Sequence, residues 1–158
     1  MELTTDIFSL FDKKWALLTA GTMESYNSMT VSWGALGTLW GKSVATAYVR
    51  TSRYTHEFMD REGWFTLSFF PETCRDKLLL LGTKSGRDMD KMRASGLEAL
   101  ACAHGIAYRE AELTLICRKL FMERLDPAKL DRELREKLYA YDAPHDMYIG
   151  EVTELIRP

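Results

Sequence analysis

Apolar and polar positions alternate in short runs through the first half of the chain, with brief stretches of longer period between them. Ala16 to Ala20 is an apolar run closed by Gly21, and the polar stretch Glu24 to Ser28 then reads as a turn. From there a period of two places Met29, Val31 and Trp33 on one strand face and Thr30, Ser32 and Gly34 on the other. The first face suits a core; the second is small and hydroxyl-bearing. A strand from Val44 to Val49 follows Gly41-Lys42-Ser43. In Trp64 to Phe70, Phe65, Leu67 and Phe69 point inward with Thr66 and Ser68 opposite. Two later strands run from about Glu112 to Met122 and from Met147 to Leu155.

Helical spacing and punctuation mark four intervening helices. Thr51 or Ser52 caps the first, which carries Tyr54 and Phe58 at i, i+4 and stops at Gly63. Pro71 opens the second, which holds Leu78 to Leu81 and ends at Gly82. A third follows Asp88, carries Met89 and Met92, and ends at Gly96. Asp126 as cap and Pro127 at the first position begin the fourth, with Leu130, Leu134 and Leu138 four apart. Trp33 and Trp40, seven apart among Gly34, Gly37 and Gly41, read as a Gly-Trp loop, either turn chemistry or an aromatic wall.

Short strands joined by turns, with helices inserted singly and no βαβ rhythm, describe a mainly β (α+β) chain: an antiparallel barrel with peripheral helices. No linker or repeat divides residues 1–158, so one domain is expected. A chain of this length buries about 70% of the surface it exposes when unfolded. Three scattered cysteines, Cys74, Cys102 and Cys117, exclude a disulfide scaffold. Twenty-one basic against 23 acidic residues, net charge -2, excludes a general nucleic-acid binder but not a local basic pocket. The N-terminal residues lack a basic segment followed by an apolar one, and the central run Leu78 to Leu81 is far below the roughly 20 residues that span a bilayer. A cytoplasmic protein with reduced thiols, away from membranes, is expected.

Most familiar chemistries are missing from the sequence. There is no G-x-G-x-x-G after a strand, no P-loop and no G-x-S-x-G elbow. His56, His104 and His145 show no zinc spacing with the cysteines, so neither a metal site nor a catalytic residue is assigned. Anion chemistry stands out instead. Arg50-Thr51-Ser52-Arg53-Tyr54-Thr55 follows a strand and opens a helix, joining two guanidiniums and three aliphatic hydroxyls to free N–H groups and a positive dipole end. The same residues also describe a capped helix with two solvated arginines. Gly82-Thr83-Lys84-Ser85-Gly86-Arg87-Asp88 lets backbone approach a ligand, with Lys91 one turn beyond, and is equally an ordinary turn between helices. Asn27 to Gly34 presents small polar groups that suit the edge of a flat polar heterocycle, or a half-exposed strand with no ligand.

The segment from Asn27 to Phe70, NSMTVSWGALGTLWGKSVATAYVRTSRYTHEFMDREGWFTLSFF, resembles the core of the flavin reductase-like, FMN-binding split-barrel family in its flavoredoxin-like branch. GTKSGRDMDKM, AELTLICRKLF and HDMYIGEV are similar to that branch in the same order, so the likeness spans roughly residues 10 to 155. The resemblance implies a Greek-key split β-barrel that binds FMN non-covalently and pairs as a homodimer. It further implies transfer of electrons from NADH or NADPH through flavin to an acceptor, or, alternatively, an electron carrier serving a redox partner protein. By position, Met29, Thr30, Val31, Ser32 and Trp33 would meet the isoalloxazine, with Asn27 supporting that strand. Arg50, Thr51, Arg53, Tyr54 and Thr55 would surround the phosphate, and Ser85 and Lys91 would add a second contact to phosphate or ring edge. A cation near the ring would stabilise reduced flavin, whose negative charge gathers at the N1–C2=O edge.

Overall fold

A computed structural model describes residues 3–157. After helix α1 (Ile7–Asp12), strands β1 (Ala16–Thr22) and β2 (Ser25–Val31) form a hairpin. A second hairpin, β3 (Gly34–Leu39) with β4 (Lys42–Arg50), takes the place of the expected Gly-Trp loop. Its turn is Trp40-Gly41, with φ of 53° and 69°. Two positive φ values in a two-residue turn match the right-handed twist of the flanking strands. Helix α2 (Tyr54–Arg61) leads to β5 (Trp64–Phe69), then to a 3₁₀ turn and α3 (Arg75–Thr83). A short α4 (Lys91–Ser95) precedes the hairpin β6 (Ala99–Cys102) and β7 (Gly105–Tyr108). The long strands β8 (Leu113–Arg124) and β9 (His145–Ile156) flank α5 (Arg132–Leu138).

Seven strands make one antiparallel sheet in the order β2-β1-β5-β8-β9-β4-β3. The two early hairpins therefore stand at opposite ends of the sheet order. The sheet coils until the ends of β2 and β4 face each other across a cleft, without pairing. This is the expected barrel, split along one seam. β2 is an edge strand there, so alternate backbone N–H and C=O groups along its free side have no ladder partner.

Two cores hold the barrel. Ala16, Leu18 and Ala20 of β1 face inward with Met29, Val31, Phe65, Leu67, Phe69, Leu115 and Tyr148. Leu17 faces outward, into a second core formed with Leu78 and Leu81 of α3 and Ile106 and Tyr108 of β7. That outer layer changes the expectation for β5. Thr66 and Ser68 do oppose the inward aromatics, but both are buried: Thr66 donates to the Ile106 carbonyl at 2.6 Å and Ser68 pairs with Thr114 at 2.8 Å. Thr19, Ser28 and the Tyr108 hydroxyl likewise close a buried triangle of hydrogen bonds.

Several predicted boundaries move, each for a local reason. The polar stretch before Met29 is strand, because it pairs residue for residue with β1. Neither Thr51 nor Ser52 caps α2. Arg53 occupies the cap position in an extended conformation without a side-chain capping bond, while the Thr51 N–H goes to the Pro144 carbonyl. Gly82 lies within α3, where a Cβ would stand 3.2 Å from that of Thr30. Asp90, not Asp88, caps α4, leaving Met89 outside it. The fourth helix breaks in two: Asp126 caps only a 3₁₀ turn (Pro127–Lys129), Leu130 turns extended, and Asp131 caps α5 afresh. His104 lies in the β6–β7 turn and stacks on Trp64 at 3.8 Å. Among the described residues, no helix is long and apolar enough to cross a membrane.

Candidate functional site

The cleft between the barrel's two seam strands has a volume of about 190 Å³ and is lined by Met29 to Trp33, Tyr48, Arg50 and His145. All five predicted residues at the end of β2 are thus brought to one wall. Met29 and Val31 turn their side chains into the inner core, so their backbone groups are what they offer the cleft. Thr30 is half-buried, and its hydroxyl donates to the Leu78 carbonyl of α3 at 2.5 Å. Its lone pairs and the exposed Ser32 hydroxyl are the remaining side-chain acceptors on that wall.

The opposite wall carries two residues that sequence reading did not assign. Tyr48 sits two positions before Arg50 on β4, so the period of two places both on one face, a signal present in the sequence. His145 registers against Arg50 across the β4–β9 ladder, a juxtaposition that only the topology reveals. Its Nδ1 lies 2.8 Å from the Tyr139 hydroxyl, and its ring stands 5.0 Å from that of Trp33. Burial, reinforced by Arg50, pushes its pKa down to about 4, so the imidazole is neutral at pH 7. Arg50 donates to the Ala143 carbonyl at 3.1 Å and pairs with exposed Asp142 at 3.4 Å.

One corner of the site is different in kind. Arg53 donates one Nη to the Gly82 carbonyl at 2.8 Å, while its other Nη is buried with no partner. Burial and neighbouring Arg50 both lower its pKa. Lys91 is 2% exposed and donates to the carbonyls of Leu81 and Lys84 at 3.0 and 3.1 Å. Burial, then Arg53, bring its pKa down to about 8. Neither Arg53 nor Lys91 has a carboxylate partner among the described residues. The α2 N-terminus beside them has no side-chain cap, so its first N–H groups add to the donors gathered in this corner.

Other predicted residues serve elsewhere. Asn27 and Thr55 are both buried and satisfy each other, the Asn27 amide donating to the Thr55 hydroxyl at 2.7 Å. Tyr54, Asn27 and Lys91 line a second cavity of about 380 Å³ beneath the loop after α3. That loop is strapped down by Arg87, which donates to the Ser52 carbonyl, pairs with Glu57 and lies 4.9 Å over the Tyr54 ring. Ser85 accepts from the Arg87 N–H at 3.2 Å. Thr51 is half-buried in the turn between β4 and α2.

A separate charged cluster lies behind the barrel wall. Asp146 is 1% exposed and accepts from Arg124 at 2.8 and 3.2 Å and from His56 Nε2 at 2.7 Å. His56 Nδ1 faces Asp60 at 3.4 Å, and Tyr148 donates to Asp60 at 2.6 Å. Ligand-type atoms of His56, Asp60 and Asp146 fall within 4.8 Å of one another. Arg124 and His56 already occupy the Asp146 carboxylate.

No family model matches the sequence, and no curated protein does. Solved structures do match. Flavoredoxin from Methanosarcina acetivorans shares 20% identity over 100% of this chain and 75% of its own, with a TM-score of 0.71. The FMN-binding protein from Thermus thermophilus with bound p-hydroxybenzaldehyde gives 17%, 99%, 80% and 0.72. An FMN-binding domain of a flavin reductases-like enzyme from Shewanella baltica gives 17%, 94%, 71% and 0.67. The chain has the flavin reductase-like split-barrel fold.

Proposed function

We propose that the chain binds FMN in this seam and works as an oxidoreductase, passing electrons from NADH or NADPH through the flavin to an acceptor. The carrying observation is the buried, unpartnered Nη of Arg53 beside a second buried cation. A buried donor left unmade costs about 1–3 kcal/mol, more for a charged group, so the fold holds this corner ready for an anion. A single terminal phosphate supplies what is missing there, and the free edge of β2 offers N–H and C=O groups to the rim of a flat heterocycle. The names of the similar structures support the same ligand.

Bound flavin supplies the hydride and single-electron chemistry. The protein's part is to hold the phosphate at Arg53 and Lys91, to set Arg50 as a nearby positive charge, and to present a neutral His145. The site needs no acid–base pair for that task. The alternative, a carrier that exchanges electrons with a redox partner protein, differs in one measurement: steady-state oxidation of NADH or NADPH by the FMN-loaded protein.

Parallel titration with FMN and riboflavin tests the assignment. Arg53→Ala removes a charge-assisted bond to the phosphate worth roughly 1.5–3 kcal/mol, so FMN affinity should fall about ten- to a hundredfold. Riboflavin, without the phosphate, should bind as before. Equal weakening of both ligands would place the phosphate elsewhere and sink the reading.

The same proposal includes a homodimer in the cytoplasm. Leu39, Trp40, Phe121 and Met122 are all exposed, with the Trp40 and Phe121 rings 6.2 Å apart at the tip of the β3–β4 hairpin and the outer half of β8. A twofold pair covers such a patch most simply. A stable monomer by sedimentation at micromolar concentration would remove it.

A further inference from the structure

Beside the ring cleft lies a larger opening of about 590 Å³, within the range of about 300–1,000 Å³ usual for small-molecule sites. It shares Ser32, Trp33 and Tyr48 with the cleft, so occupants of the two would sit against the same three residues. Its other walls are Phe8 and Phe11 of α1 and Leu36 of β3. Two sequence features build it. At Gly34 a Cβ would stand 2.3 Å from the Phe11 ring, so glycine is what lets α1 lie against β3. Phe8, on the same short helix as buried Phe11, is 90% exposed and leaves an aromatic ring at the rim. A solitary exposed phenylalanine needs no explanation. One at the mouth of an aromatic slot opening onto the candidate site does.

Charge decides the class of occupant. Among the described residues Asp12 is the only charged side chain on the slot's walls, and Arg50 belongs to the cleft wall. A phosphate or carboxylate would meet no cation on these walls and would face the exposed Asp12 carboxylate, so an anion gains nothing there that an uncharged ring lacks. We infer that the slot takes an uncharged planar ring, aromatic or quinoid, belonging to the small molecule that meets the flavin. The inference rests on the flavin reading only for what fills the neighbouring cleft.

The probes are 2-acetonaphthone and 2-naphthoate, matched in size and differing in charge. Each is titrated calorimetrically into the FMN-loaded protein with no reductant present. The ketone should bind at least tenfold tighter than the carboxylate. Ala35→Trp, which fills the slot from an exposed wall position, should abolish ketone binding. Phe8→Lys should bring the two ligands to within threefold, and neither variant should change FMN affinity. Equal binding of the two probes, or indifference to both variants, overturns the inference. So does a dimer that Phe8→Lys dissociates while ketone binding persists, because the face is then a contact between copies. If FMN fails to bind while the ketone preference and its sensitivity to Ala35→Trp remain, the slot stands and the flavin reading falls.

Discussion

Two groups of charged side chains, both drawing on α2 or its cap, are partnered in opposite ways. Behind the barrel wall, Asp146 meets Arg124 and His56, and Asp60 meets Tyr148, so each buried charge faces an opposite charge or a donor. At the seam, half-buried Arg53 and buried Lys91 have only backbone carbonyls as acceptors among the described residues, and the pKa of each is lowered by burial first and a cationic neighbour second. The first arrangement is complete as it stands. The second leaves one buried Arg53 Nη unmet. Burial and charge alone do not mark a site; an unmet hydrogen-bonding group does.

The largest expected effect lies on the paired side. Asp146→Ala leaves His56 without its nearer carboxylate and Arg124 without either bond. Arg124, 59% exposed, can turn to water, but the mostly buried His56 loses its Nε2 partner, and a buried group left unmet costs about 1–3 kcal/mol, so roughly 2 kcal/mol is expected. The bond to Arg124 holds the Asp146 carboxyl below the usual carboxylate range. A depressed carboxylate stabilises the fold above its unfolded pKa, near 4, and that contribution is lost as pH falls through the lower folded value. The gap between wild type and variant in denaturant midpoint should therefore be full at pH 7 and shrink in strong acid. A variant within 0.5 kcal/mol of wild type at pH 7, on the order of an ordinary surface substitution, would show that the pairing does not hold this wall.

How far this contrast is legible in the sequence depends on distance along the chain. The cationic corner is legible where its parts are local: Arg53 follows a strand end and opens a helix, and Lys91 follows a glycine-containing turn. The β2 wall was readable because five consecutive residues form it. Tyr48 was there to be found from the alternation of β4, whereas His145 enters only through the β4–β9 register, 95 positions away from Arg50 in sequence. Asn27 and Thr55 show the converse. The resemblance sets Asn27 behind the ring strand and Thr55 at the phosphate, yet the two hydrogen-bond each other, and a sequence does not say which polar groups meet inside the fold. Among the elements, β5, β8 and β9 announce themselves by long alternation. Helix α1 and the β6–β7 hairpin are too short and, at Ala99 to Ala103, too uniform in side-chain size to give a period.

An effect of intermediate size separates the two clusters by pH. Lys91 has a folded pKa of about 8 against 10.5 unfolded. Between those values the unfolded chain holds a proton that the folded one has released, so the free protein should gain stability as pH rises through that window. FMN affinity should move the other way. The phosphate is dianionic throughout, its second pKa being about 6, and favours the charged amine, so affinity should be constant up to pH 8 and then fall by at most about tenfold per pH unit. Riboflavin affinity should stay flat. Titrations between pH 7 and 9.5 with both ligands decide this, and parallel curves would take Lys91 out of the phosphate's surroundings.

The smallest effect is expected at Arg124, and its smallness is informative. Arg124→Ala removes both bonds from Arg124 to Asp146, yet the carboxylate keeps His56 at 2.7 Å. The departing guanidinium was itself more than half exposed, so water and counter-ions already screened it. A loss of about 1 kcal/mol or less in unfolding free energy is expected, well short of that for Asp146→Ala. FMN and riboflavin affinity should both be unchanged, since neither Asp146 nor Arg124 lines the cleft. That outcome contrasts directly with Arg53→Ala, where ligand affinity is expected to fall. Should Arg124→Ala weaken FMN binding selectively, the two clusters would be coupled through β9 and the separation between a closed charge network and an open one would fail. Chemical denaturation and the same paired flavin titrations measure both quantities on one preparation.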